Sequence, residues 1–196
     1  MTLTLLDWRR RTAASYADVR GSRESDAEAA CLRWRGVRDE LFARHPDSPL
    51  EDAGAFRGLP YAPYDESLVF DAPLRRAATL TLDVVTSDGG VPLRRVGVAE
   101  LPFGTLDVWW IAAYGGGVFV PFADATNGST TYGGGRYLVD TIKGADLGSS
   151  VDPETIRLDF NYAYHPSCFY SARWSCPLAP AGNRLEVQVV AGELAA

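Results

Sequence analysis

The chain after residue 63 constrains the fold most, because it consists of short β-forming runs separated by tight turns. Runs rich in Val, Ile, Leu, Thr and aromatic residues alternate with segments of Gly, Asp, Ser or Pro. Ser87-Asp88-Gly89-Gly90, between two such runs, is typical of a hairpin turn. No stretch after residue 45 shows convincing helical periodicity, which argues against alternating βαβ units. We therefore predict a mainly β fold, an antiparallel barrel or sandwich of about eight strands. The predicted strands are 68–70, 77–86, 93–101, 105–114, 118–122, 136–141, 156–164 and 185–190.

The N-terminal part of the chain predicts a pair of α-helices. Apolar residues recur at near-helical spacing over residues 3–20, and Gly21 is expected to end that helix. Ser25 is the predicted N-cap of a second helix, with Glu28 completing a capping box, and His45-Pro46 is its predicted end. We expect the two helices to pack antiparallel against one face or opening of the β core.

A linker rich in proline and glycine divides these two parts. Residues 48–63, SPLEDAGAFRGLPYAP, contain three Pro and two Gly. We assign residues 1–47 to the helical pair and residues 48–196 to the β domain, and we expect both to form a single folding unit.

Charge and composition exclude several classes of partner. The formal net charge is −6, which argues against a nucleic-acid binder that needs a basic stripe. No run of about 18 apolar residues is present, so no membrane span is predicted. The N-terminus lacks the basic segment of a signal peptide, so we predict a cytoplasmic protein whose three Cys are reduced.

The run FADATNGSTTYGGGRYL, residues 122–138, combines turn-forming residues with a single cation. Arg136 offers a planar fork of donors, and the preceding glycines offer backbone N–H groups, a combination suited to an anion or carboxylate. Asp124, Thr126 and Tyr132 would lie on the adjacent loop. The alternative is an internal ion pair of Arg136 with Asp124 or Asp159 that locks a bulged turn.

The second run, LDFNYAYHPSCFYSARWSCPLAP, occupies residues 158–180. If its first part is a strand, an aromatic face that includes Tyr164 lies opposite a face with Asp159 and Asn161. We favour an arrangement in which the polar face points into the barrel and Asp159 pairs with Arg136.

These two motifs resemble the uncharacterised bacterial family DUF1684. The likeness also includes Ser48-Pro49-Leu50, residues 56–61 (FRGLPY), Asn183 and Ala191-Gly192-Glu193, in the same order over nearly the whole chain. The family pattern has Asn where this chain has His165. The resemblance implies a shared fold and assigns no function.

His165, Cys168 and Cys176 are the soft ligands and nucleophiles of the second run, with the spacing H-x2-C-x7-C. They could hold zinc with Asp159 or Asp124 as a fourth ligand, although paired C-x2-C knuckles are missing. Cys168 could act as a nucleophile with His165 as its base. The simplest interpretation is a pair of structural thiols or a reversible disulfide. We predict no resident metal or cofactor.

The sequence thus predicts a β-barrel pocket for a small polar or anionic ligand, with Arg136, Asp159 and Asn161 in its wall. A hydrolase-like enzyme with His165 or Asp159 as general base is the alternative, and a purely structural polar network is another. Adjacent Trp109 and Trp110 must face opposite sides of their strand, and the outward one could serve a homodimer contact.

Overall fold

The computed structural model of the protein describes residues 3–149, 152 and 154–195. Its helices are α1 (Leu3–Ser22) and α2 (Ala27–Arg44). They run antiparallel, since Arg11 pairs with Glu40 at 3.0 Å and Asp18 pairs with Arg33 at 3.2 Å. In the described part of the chain, no helix is long and apolar enough to cross a membrane.

The helix boundaries differ slightly from the predicted ones. α1 continues through Gly21, and the N-cap of α2 is Asp26 instead of Ser25. The Asp26 Oδ1 accepts the Ala29 backbone N–H at 2.9 Å. This is the kind of capping bond that was expected one residue earlier, from Ser25.

Seven strands follow within the described ranges. They are β1 (Val69–Arg75), β2 (Thr81–Thr86), β3 (Gly89–Leu101), β4 (Gly104–Ile111), β5 (Gly117–Phe122), β6 (Arg136–Asp140) and β7 (Thr155–Asp159). β2 and β3 form the predicted hairpin, although Gly89 and Gly90 already belong to β3. Gly89 has φ of 118°, a left-handed conformation that glycine adopts without strain.

The strands form one antiparallel sheet in the order β6-β5-β4-β3-β1-β7, and β2 pairs with β3 outside this path. The sheet curls until the chain beyond β7 meets β6. There the Tyr137 N–H donates to the Tyr164 carbonyl at 2.9 Å, and the Tyr164 N–H donates back at 3.1 Å. The result is a half-barrel preceded by two helices, which confirms the predicted mainly β fold.

One predicted strand, 156–164, is too long, and another, 185–190, is wrong. β7 ends at Asp159, and residues Phe160–Tyr162 form a 3-10 turn whose three side chains are all buried. The predicted alternation of two faces therefore stops at Asp159. The segment 185–190 is not a ladder strand, and part of its backbone hydrogen bonds instead to the residues after β5 and to one buried side chain.

Apolar side chains cover both faces of the sheet. Leu106, Phe122 and Leu158 belong to the cluster inside the half-barrel, and Trp109 belongs to the cluster on the other face. Trp109 is buried and Trp110 is 36% exposed, as strand alternation predicts. Each large side chain that is fully buried contributes about 1.5–3 kcal/mol, so these clusters dominate the stability of the sheet.

A third apolar cluster joins the helices to the half-barrel. Tyr16 of α1 and Trp34 of α2 pack on Tyr162, with ring centroids 6.4 and 5.0 Å away. Ala145 and Leu147, which follow β6, complete the cluster. The helical pair therefore lies over the place where β6 meets the chain beyond β7.

Candidate functional site

Arg136, at the start of β6, is fully buried and almost fully hydrogen bonded. Its Nη2 donates to Asp124 Oδ2 at 2.7 Å and to the Val189 carbonyl at 2.9 Å. Its Nη1 donates to the carbonyls of Ala191 and Glu193. Burial lowers the pKa of Arg136 and Asp124 partly restores it, but a guanidinium stays charged in a protein. The four bonds leave only the Nε–H without a partner among the described residues.

The glycines before Arg136 allow a close backbone approach. Gly135 has φ of 89°, and a Cβ there would lie 2.5 Å from the Phe122 carbonyl oxygen. In the same turn, Asp124 Oδ1 accepts the Thr126 N–H at 2.7 Å and the Thr126 hydroxyl at 2.6 Å. Asp124 and Thr126 therefore bond mainly within the motif 122–138, whereas Arg136 also bonds to carbonyls outside it.

Asp159 and Asn161 form a second network. Asp159 Oδ1 accepts the backbone N–H of Asn161 at 3.0 Å and its side-chain amide at 2.9 Å. The Asn161 amide also exchanges two hydrogen bonds of 2.8 Å with the backbone of Asp65, which ties the segment between the linker and β1 to the 3-10 turn after β7. Burial raises the pKa of Asp159, and the hydrogen bonds from Asn161 oppose that rise.

The preferred Arg136–Asp159 pair is wrong, and the alternative Arg136–Asp124 pair is confirmed. The reason is local: Asp159 caps a 3-10 turn, so its carboxylate bonds to the turn that follows it. The polar atoms of Arg136, Asp159 and Asn161 form hydrogen bonds almost entirely with other groups of the protein. This arrangement favours a structural role for all three.

His165 lies beside the buried Glu193–Arg38 ion pair. Its Nε2 accepts the Tyr132 backbone N–H at 3.2 Å, so the proton of the neutral ring belongs on Nδ1. Nδ1 lies 3.6 Å from Glu193 Oε1. The other oxygen of Glu193 accepts Arg38 Nη2 at 2.8 Å and the His165 backbone N–H at 3.1 Å. Because Nε2 is occupied, His165 is poorly placed to serve as a general base.

Arg38 and Glu193 are functional candidates that the sequence interpretation missed. Glu193 is fully buried, and the Arg38 side chain is 14% exposed. Burial lowers the pKa of Arg38, but the Tyr61 hydroxyl and Glu193 together raise it by more than burial lowers it. The net shift of the pKa is therefore upward. The sequence does contain a signal for Arg38. Because Arg38 follows Trp34 by one helical turn, it lies on the apolar face of α2.

A cavity of about 60 Å³ separates the helical pair from the half-barrel beside Arg38. The guanidinium lies over the rings of Trp34, Phe42 and Tyr164, 5.0 to 5.2 Å from their centroids. The remaining wall residues are Trp8, Arg9, Thr12, Ser15, Tyr16, Leu41, Tyr137, Lys143, Ala145, His165, Pro166 and Ser167. The structure thus places Tyr164 and His165 at a cavity, but at a different one from the predicted barrel pocket.

The cavity wall carries more positive than negative charge. Arg38 is neutralised by Glu193, and Lys143 lies 3.4 Å from Asp140. Arg9 donates to the Ile142 carbonyl at 3.0 Å and has no carboxylate partner in the described part of the chain. Tyr16 and Trp34 also line the cavity, but the Tyr16 hydroxyl and the Trp34 indole N–H are buried atoms that lie beside each other.

The cysteines show neither a metal site nor an activated Cys168. All three are free thiols. Within the residues that the structure describes, no three or more His, Cys, Asp or Glu side chains are grouped to hold a metal ion. A hydrogen bond with Cys176 and burial raise the pKa of Cys168, which is the wrong direction for a nucleophile at neutral pH.

Comparisons with known proteins agree with this fold. The model of family DUF1684, described as proteins of unknown function, matches residues 54–194. A solution NMR structure of an uncharacterised protein from the archaeon Haloarcula marismortui is 32% identical, with a TM-score of 0.62. That match covers 88% of this chain and 96% of the archaeal one, so the likeness extends beyond bacteria. No curated protein matches the chain. By the family match and by this structural relative, the chain belongs to DUF1684.

Proposed function

We propose that the protein binds a small anion in the cavity between the helical pair and the half-barrel. One observation carries the proposal: three cations, Arg9, Arg38 and Lys143, lie in the wall of one cavity, and no Asp or Glu side chain is among the described wall residues. A hydrogen bond from a guanidinium or ammonium group to an anion is about twice as strong as a bond between neutral groups.

The size of the cavity limits the ligand. One water needs about 10–15 Å³ of such space, so about 60 Å³ accommodates roughly four to six waters. Ordinary ligand pockets of about 300–1,000 Å³ are much larger. The fitting class is therefore a carboxylate or inorganic oxyanion of a few heavy atoms, with an aromatic wall that shields its charge from bulk water.

Binding without turnover suits the geometry better than hydrolysis. The Nε2 of His165 is hydrogen bonded to Tyr132, and the pKa of Cys168 is raised. The cavity wall offers donors and cations, which bind an anion, but no free base beside a nucleophile.

The test is a thermal-shift panel of acetate, oxalate, phosphate and sulfate. A fitting anion at 100-fold excess over its Kd stabilises the native state by about 2.7 kcal/mol, which raises Tm by about 5–10 °C at this chain length. Ser15→Leu should abolish the shift, because Ser15 lines the cavity and its hydroxyl bonds only to the Thr12 carbonyl in its own helix.

Arg75→Gln is the matched control for nonspecific anion effects. It removes an exposed cation that pairs with Glu100, far from the cavity wall, so the shift should persist. The proposal fails if none of the four anions raises Tm in the native protein, or if Ser15→Leu responds as the native protein does.

A further inference from the structure

A groove lies along the outer side of the helical pair, between α1 and α2, with a volume of about 420 Å³. Ser15 and Trp34 are buried at its base and also line the cavity beside Arg38, so they separate the groove from that cavity. The other residues of its wall are Arg11, Ala14, Asp18, Arg33, Val37 and Glu40. None of the described wall residues comes from a strand, so this face of the helices is open to solvent.

Two ion pairs lie at the two ends of the groove. Arg11 of α1 pairs with Glu40 of α2 at 3.0 Å, and Asp18 of α1 pairs with Arg33 of α2 at 3.2 Å. On each helix the cation and the carboxylate are seven residues apart, which is two helical turns or about 10 Å. Because each cation lies opposite a carboxylate of the other helix, the four corners of the groove alternate in sign.

This charge pattern is complementary to itself. A two-fold axis in the plane of the groove turns a second copy of the chain face to face with the first. Whether that axis lies along the helices or across them, each cation of one copy then lies opposite a carboxylate of the other. A two-fold contact uses the same patch on both subunits, so a self-complementary patch is what it requires. Complementary charges also fix the register of such a contact.

The surface around the ion pairs is apolar and flat. Ala14 and Ala17 are exposed, Leu32 is 54% exposed, and a Cβ at Gly36 would meet no atom within 4 Å. Helices of 20 and 18 residues are about 30 and 27 Å long and about 10 Å wide, so their outer face measures about 600 Å². A standard interface buries about 800 Å² of each partner, so this face is large enough for a weak dimer.

The distribution of charge over the chain favours the same face. Residues 1–47 contain nine Arg and eight Asp or Glu, a net charge of +1, whereas the rest of the chain carries −7. A large net charge of one sign repels a second copy. The helical pair is therefore the part of the molecule where two copies repel each other least. Trp110, the other candidate for a dimer contact, is a single exposed ring that lies against Gly116.

We propose that the protein forms a two-fold symmetric homodimer through the outer groove of the helical pair. Two α1–α2 pairs then pack face to face between two half-barrels, and the ion pairs of one copy lie on those of the other. The contact lies on the side of the helices away from the cavity beside Arg38, so the dimer does not depend on anion binding.

The test is sedimentation equilibrium of the full-length chain at micromolar concentrations. The native protein should reach twice the chain mass of 21.3 kDa. Ala14→Glu should sediment at the mass of one chain, because it brings a carboxylate from each copy into the centre of the contact. Ala14 is exposed, so the variant should fold, and circular dichroism checks this. Val85→Glu is the matched control: Val85 is 85% exposed on β2, and its replacement should leave the dimer intact.

A charge-inverted variant tests the pattern without loss of either ion pair. It combines Arg11→Glu with Glu40→Arg and Asp18→Arg with Arg33→Asp, so every corner of the groove changes sign. This variant should dimerise with itself. Immobilised native chain should capture soluble native chain but not the inverted variant, since each cation would then face a cation.

Four results would overturn the proposal. They are a native protein that stays monomeric, an Ala14→Glu variant that is still a dimer, a dimer that Val85→Glu dissociates, and capture of the inverted variant by the native chain. The anion-binding panel is read from Tm, and the dimer is read from mass, so failure of one leaves the other standing.

Discussion

Arg136 and Arg38 are both buried guanidiniums that pair with a carboxylate, yet their surroundings differ. Arg136 has four acceptors from Asp124 and three carbonyls near the C-terminal end. Arg38 has Glu193 and the Tyr61 hydroxyl and borders a cavity. Burial of a charge therefore does not identify a binding site. A group of cations around one cavity is stronger evidence, and Arg38 belongs to such a group with Arg9 and Lys143.

The largest loss of stability is expected when Arg136 is replaced, because its hydrogen-bond network is closed. Arg136→Met leaves the buried Asp124 charge without its cation and three buried carbonyls without their donor, so the free energy of unfolding should fall by about 3–5 kcal/mol. Urea denaturation followed by tryptophan fluorescence measures the loss. Arg75→Met, which breaks the exposed pair with Glu100, should change it by at most about 1 kcal/mol. Equal losses in the two variants would show that Arg136 is not a structural cation.

Glu193→Gln should separate stability from binding at the other arginine. The amide keeps the shape of Glu193 but removes the charge that neutralises Arg38, so stability should fall by about 1.5–3 kcal/mol. The uncompensated cation should at the same time bind acetate more tightly than in the native protein. Isothermal titration with acetate measures this change. Weaker acetate binding would argue against Arg38 as the cation that holds the anion.

The smallest effects on stability are expected from removing the hydroxyl of Tyr137 or of Tyr16, and the two variants can be compared directly. Tyr137→Phe removes a hydroxyl that donates to the Pro177 carbonyl at 2.6 Å, and should cost about 1 kcal/mol. Tyr16→Phe removes a hydroxyl whose neighbour is the Trp34 indole N–H and which makes no bond to a carbonyl or carboxylate among the described residues, so stability should change by less than about 0.5 kcal/mol. Because that oxygen has no exposed surface in the cavity, Tyr16→Phe should leave acetate binding unchanged. Thermal unfolding with and without acetate measures both quantities, and equal destabilisation of the two variants would contradict the distinction.

The sequence predicted the sheet because hairpin turns and alternating apolar residues are local signals. Thr86 pairs with Gly89 across the two-residue loop Ser87-Asp88, which lies within the segment 87–90 predicted to turn. Segment 185–190 has the same β-forming composition, but the Val189 carbonyl bonds to the Arg136 side chain instead of a strand. No local pattern distinguishes these two uses of an extended backbone.

The site was predicted only in part, because it depends on contacts that span most of the chain. Tyr164 and His165 were recognised from their motif, but their partners come from α2 and from Glu193, 28 residues after His165. The choice of Asp124 over Asp159 for Arg136 depends on where β7 ends. A 3-10 turn at Phe160–Tyr162 interrupts a run that reads as a continuous strand, and sequence periodicity could not show it.

The hydrogen-bond network around Arg136 also determines when β6 can be completed during translation. The carbonyls that bind Arg136 lie 53, 55 and 57 residues later in the chain. At about 5–20 residues per second, the ribosome adds that stretch in roughly 3–11 s. Throughout this interval the guanidinium lacks three of its acceptors, so β6 cannot settle into the half-barrel. The nascent chain therefore keeps an open sheet edge at β6 until residue 193 has been made, and this interval is when a chaperone would matter most.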